Sequence, residues 1–146
     1  MAITNAQPYA GSLATPRVHP IPQFGYACRT QNYRAVITLA SQPAADQIRL
    51  FKLPAGVYPL RGLLASTVSL GTSTLAIGTS AATGKYRAAA TFTAVDTPTP
   101  FMVTGANITS GLPVALVTAE EILATIAVAA LPASGTCIVD MEVAVP

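Results

Sequence analysis

Near its end the chain alternates apolar and polar positions with a period of two. Between Thr136 and Val145, Val139, Met141, Val143 and Val145 alternate with Asp140, Glu142 and Ala144. In an extended backbone successive side chains point to opposite faces, so this pattern predicts a strand with one buried and one wet face. The segment Ile122 to Leu131 is apolar on both parities. That predicts a central strand covered on both sides, or one that meets a subunit interface.

The rest of the chain from Tyr33 onward reads as short strands between turns. Strands are expected over Arg34–Ala40, Gln47–Leu53, Val57–Leu70 (one long or two short), Thr74–Gly78, Phe101–Val103 and Val114–Val117. Tyr86 to Ala94 fits a short helix or a strand, because its run of alanines suits either. Turn residues at Ser41–Asp46, Pro54–Gly56, Gly71–Ser73, Ala81–Gly84, Thr97–Pro100, Asn107–Pro113 and Pro132–Gly135 separate these segments. Turns recurring at roughly 8 to 14 residues predict an all-β sandwich or barrel. Proline and glycine recur too often for several long helices.

The first 32 residues differ from this pattern. Pro8, Pro16, Pro20 and Pro22 punctuate them, and Pro16 to Pro22 cannot be a helix and makes a poor central strand. Yet the stretch carries Leu13, Val18, Ile21, Phe24 and Tyr26, more apolar than a typical disordered tail. An extended N-terminal arm over residues 1–32 is expected, lying along its own sandwich (33–146) or along a neighbouring subunit. Those five side chains are its expected partner-binding anchors.

Composition adds a second theme. The chain of 146 residues is 51% hydrophobic and only 10% charged, against about 25% in an average soluble domain. So few charges leave much of the surface to alanine, serine, threonine and exposed aliphatics, a composition suited to an assembly. All eight Lys and Arg lie between Arg17 and Arg87, where the sole acid is Asp46; the other five acids follow with no base among them. Either the two parts interleave in the fold and their charges mix, or they dock on complementary partner surfaces. The bases are scattered singly, so no nucleic-acid partner is expected. No apolar run is long enough for a transmembrane helix, and the N-terminus shows no secretion signal, so synthesis in the cytoplasm is expected.

Candidate chemistry is sparse, and no enzyme activity is expected. His19 sits between prolines with no carboxylate nearby in sequence, a poor general base. Gly78 to Tyr86 superficially matches a phosphate-binding loop, but five residues separate its glycines and Tyr86 stands where a hydroxyl residue must hold the metal. Glu120 and Glu121 are adjacent and must face opposite ways in a strand, while Asp140 and Glu142 share a face. Asp46 and Arg49 could form a local pair. Cys28 and Cys137 are expected either as free thiols or as a disulfide tying the arm to the last strand. One His and two Cys do not make a metal site, and no cofactor is expected.

Asp46–Gly56, Leu75–Ser80 with Lys85–Ala90, and Ile122–Ile126 with Gly135–Val139 together resemble the small head decoration, or cement, proteins of tailed bacteriophages. The resemblance spans residues 46 to 146. It implies a jelly-roll-like β-sandwich, commonly a homotrimer, on the outer surface of the virion's capsid. Its partners would be the major capsid protein and further copies of itself, and its task would be to bridge neighbouring capsid subunits. Another virion part (a head fibre base, neck or tail protein) or a carbohydrate-binding module are the alternatives; the absence of Trp weighs against the latter.

Overall fold

The computed structural model describes residues 29–102 and 114–145, and these are all-β. Eight strands follow one another among them: β1 Arg29–Thr38, β2 Gln47–Leu53, β3 Tyr58–Ser66, β4 Thr74–Gly78, β5 Arg87–Thr91, β6 Thr99–Phe101, β7 Glu120–Ala127 and β8 Thr136–Val145. They form two four-stranded sheets, ordered β1-β8-β3-β6 and β2-β7-β4-β5. The neighbours are nested: β4 pairs with β5, β3 with β6, β2 with β7, and β1 lies beside β8. A long hairpin folded twice across itself produces this nesting, and it is the strand order of an eight-stranded jelly roll.

Each sheet turns one face inward. On β8, Cys137, Val139, Met141 and Val143 are buried while Ile138, Asp140 and Glu142 are half-exposed, as the period of two requires. Leu53, Leu64, Leu75, Ile77, Ile122 and Ile126 fill the space between the sheets. Each such side chain contributes about 1.5–3 kcal/mol by leaving water. Central β7, flanked by β2 and β4, also buries Leu123 on its other face, which accounts for its apolar character on both parities.

Several boundaries differ from the sequence expectation. β1 begins at Arg29, four residues before the sandwich expected from 33. The uncertain segment after Tyr86 is a strand, β5. β7 stops at Ala127 because Val128 takes a left-handed φ of 72°, which ends the ladder although the sequence stays apolar to Leu131. Val114–Val117 is not a ladder strand; instead Leu116 exchanges main-chain bonds with the β2–β3 turn, donating to Val57 and accepting from Gly56. Ala144 is buried where the wet face was expected, next to a register shift between Pro59 and Arg61 on β3.

Main-chain bonds gather the loops at two ends. At one end the β1–β2 loop bonds to the β7–β8 loop (Ser41 to Pro132, Leu39 to Gly135), and the β5–β6 loop bonds to the end of β3 (Asp96 to Ser66). At the other end the β2–β3 turn meets the segment before β7, and the β4–β5 loop reaches β7 through Lys85 and Glu120.

Candidate functional site

The expected arm anchors Leu13, Val18, Ile21, Phe24 and Tyr26, with His19 and Cys28, lie outside the described residues. What the structure places is the surface of the sandwich. On the outer face of the first sheet, Arg34 of β1 grips Asp140 of β8 through two parallel bonds of 2.7 Å, Nε to Oδ1 and Nη2 to Oδ2. Beside it Arg61 of β3 donates through Nε to Glu142 of β8 at 2.5 Å. The pairs follow from register: Arg61 lies directly opposite Glu142, and the strand order sets β1 on the other side of β8. The hydrogen bond to Asp140 and its charge raise the Arg34 pKa above the ordinary value. Together the four charges line an open groove of about 480 Å³ with Asn32 and Leu63. Toward the opposite end of that face, Val36 is exposed, and Ala65 lies opposite Ile138.

The second sheet repeats the theme. Glu120 and Glu121 do face opposite ways. Glu121 pairs with Arg49 at 3.3 Å across the β2–β7 ladder, so Arg49 pairs there and not with Asp46. Glu120 turns toward the β4–β5 loop, accepting from Lys85 Nζ at 2.5 Å and from the buried Tyr86 hydroxyl at 2.6 Å. All four ion pairs among the described residues therefore join the basic part of the sequence to its acidic end. The charge asymmetry is cancelled inside one chain. Exposed pairs are worth about 0–1 kcal/mol each, so their main effect is to leave a surface with few free charges.

The Glu120 cluster has a pH signature. Burial raises the Glu120 pKa, but the bonds from Lys85 and Tyr86 and the Lys85 charge outweigh it, and the net shift is downward from 4.5. A depressed carboxylate stabilises the fold above its unfolded value, and that contribution is lost as pH falls through the folded value. Glu120→Gln is expected to cost roughly 1–2 kcal/mol at neutral pH. The gap between the two proteins should close as pH drops below about 4.5, read by urea unfolding at several pH values. A gap independent of pH down to acid unfolding would refute the role of the charge.

Reactive groups among the described residues are shielded. Cys137 is a free, buried thiol; burial pushes its pKa up to about 11, with Arg87 opposing. Arg87 is half-buried and donates to the main-chain carbonyls of Leu75, Ala90 and Thr91, filling the irregularity in the β4–β5 ladder. The Gly78–Tyr86 segment is a wrapped turn: Thr79 and Lys85 both donate to the carbonyl of Ala82. No group of three or more His, Cys, Asp and Glu that could hold a metal ion occurs among the described residues.

No protein-family model matches the chain, and no curated protein does. Solved structures do. A chain of the cyanophage Pam1 capsid asymmetric unit matches over 100% of both chains, with a TM-score of 0.67 and 19% identity. A chain in the capsid of Ralstonia phage GP4 matches over 90% of this chain and 92% of its own, with a TM-score of 0.57 and 18% identity. A chain in the acidic stable capsid structure of Helicobacter pylori bacteriophage KHP30 matches over 80% and 88%, with a TM-score of 0.56 and 11% identity. At these identities the likeness establishes architecture, so the chain is a jelly-roll sandwich of the same fold as these phage capsid chains.

Proposed function

We propose that this chain is a structural virion protein that binds the outside of a tailed-phage capsid and bridges neighbouring capsid subunits, without enzymatic activity. The match with a chain of the Pam1 capsid asymmetric unit supports this reading most directly, because it covers 100% of both chains. The surface agrees with it. With its ion pairs closed internally, the sandwich presents aliphatic and small polar groups, as a subunit meant to be covered does.

The mechanism is mechanical. Packed DNA presses outward on a filled head, and a clamp laid across the junction between shell subunits resists their separation. Many copies act together, so a modest free energy per contact accumulates over the shell. Each copy is proposed to work within a homotrimer, with its first 28 residues extending the clamp onto a neighbour. Because β1 starts at Arg29, the informative truncation removes residues 2–28 and leaves every described strand intact. Heads carrying the truncated chain are expected to lose occupancy and to release DNA at lower temperature, read by quantitative gel densitometry and a nucleic-acid dye melt. Full occupancy and unchanged heat resistance would refute the arm's part in the clamp. Copy number tests the wider reading: hundreds per particle fit a shell protein, whereas about a dozen fit a vertex or tail part.

A further inference from the structure

Of the described residues with positive φ, six lie in the loops at one end of the sandwich: Ser41, Ala45, Gly71, Asp96, Val128 and Gly135. Four of the six carry a side chain, and Val128 is β-branched, the type least tolerant of the left-handed region. Val128 is also 75% exposed, so its side chain gains little from the chain's own core. A residue that strains the backbone and is scarcely buried stabilises nothing within the monomer. Glycine would serve that φ better, so the value of the isopropyl group lies outside the chain.

The charges at this end point the same way. The four loops, residues 39–46, 67–73, 92–98 and 128–135, contain Asp46 and Asp96 and no Lys or Arg. Neither acid has an ion-pair partner among the described residues, whereas the other four acids all do. Each sits beside an exposed valine. Asp96 follows Val95, which is 46% exposed, and the main-chain carbonyl of Asp46 accepts from the amide of Ile126, two residues before Val128, which leaves the Asp46 carboxylate out of that bond. The end thus offers two apolar-plus-acid units, complementary to an apolar surface that brings its own Lys or Arg.

Resting on the capsid reading, we infer that this end of the sandwich is the face that docks on the shell, with Val95 and Val128 as apolar anchors and Asp46 and Asp96 meeting basic groups of the shell protein. A second copy is a poorer occupant. Two copies joined through this end about a two-fold axis would set Asp46 and Asp96 of one against the same acids of the other, with no Lys or Arg in these loops to offset them.

The test uses phage heads assembled without this chain and the purified full-length protein. Val128→Gly is expected to leave the Tm unchanged or raise it by up to about 4 °C, and to weaken head binding at least tenfold. Asp46→Lys with Asp96→Lys should weaken binding further and flatten its dependence on salt. Carbodiimide cross-linking of decorated heads should join peptides containing Asp46 or Asp96 to lysines of the shell protein. Wild-type binding with both variants equally tight, or cross-links running to a second copy, would overturn the inference while sparing the capsid reading. If the wild-type protein itself fails to bind heads, the capsid reading falls and the inference falls with it.

Discussion

Gly62→Ala is expected to destabilise the protein by about 3 kcal/mol, and Phe101→Leu on the neighbouring strand is expected to restore part of that loss. Gly62 sits mid-strand on β3, directly opposite Phe101 of β6 and Met141 of β8. Its missing side chain is where the Phe101 ring lies: a Cβ there would stand 2.0 Å from Cζ and 2.2 Å from Cε2. Glycine in a strand interior is ordinarily a weakness, and an aromatic ring covering it compensates. The ring is buried, so it cannot swing into water without taking apolar surface with it. Phe101→Leu alone should cost about 1–2 kcal/mol, and the double variant less than the sum of the singles. Urea melts of the four proteins measure the coupling directly. Additive losses would mean that the ring does not occupy the space above Gly62.

That contact also shows where sequence reading stops. β2, β4 and β8 match the expected bounds because short apolar or alternating runs flanked by Gly, Pro and Asp are a local signal. Other features depend on what lies across the sheet. Asp140 and Glu142 look unpartnered in the sequence because their arginines stand 106 and 81 residues away. Only the order β1-β8-β3 brings those arginines to both sides of β8. Spacing puts Arg49 near Asp46, three positions away, but the β2–β7 ladder offers it Glu121. The end of β7 is invisible for a different reason: composition continues apolar through Val128 while the backbone turns left-handed, and nothing in residue type announces that φ. The proposed docking end escapes sequence reading for the same cause. It consists of four loops that converge only after two sheets have formed, and its acids stand out only once the others are seen to be paired.

The Lys85–Tyr86–Glu120 cluster depends on a second glycine, and here the expected result is loss without rescue. Gly78→Ala is expected to cost about 2–4 kcal/mol. Gly78 closes β4 opposite Leu123 of β7, and the following turn folds back over it. A Cβ at Gly78 would stand 2.2 Å from the carbonyl oxygen of Ala82 and 2.5 Å from that of Thr83. These are main-chain atoms, so no side-chain truncation makes room. The turn itself must move, and the Ala82 carbonyl accepts the amides of Thr79 and Lys85 that hold the turn together. Displacing it pulls on Lys85 and Tyr86, whose side chains both reach Glu120. Burial, the bond to Glu120 and the Glu120 charge hold the Tyr86 hydroxyl protonated well above the ordinary tyrosine range. Once the turn is displaced, that hydroxyl should titrate closer to the ordinary value of 10.0, read by ultraviolet absorbance during an alkaline titration of the still-folded variant. In the Gly78→Ala background, the further change Glu120→Gln should cost little, since the bonds to Glu120 would already be broken. An undiminished cost, with Tyr86 still resisting ionisation, would show that the turn tolerates the methyl group and that the cluster stands independently of Gly78.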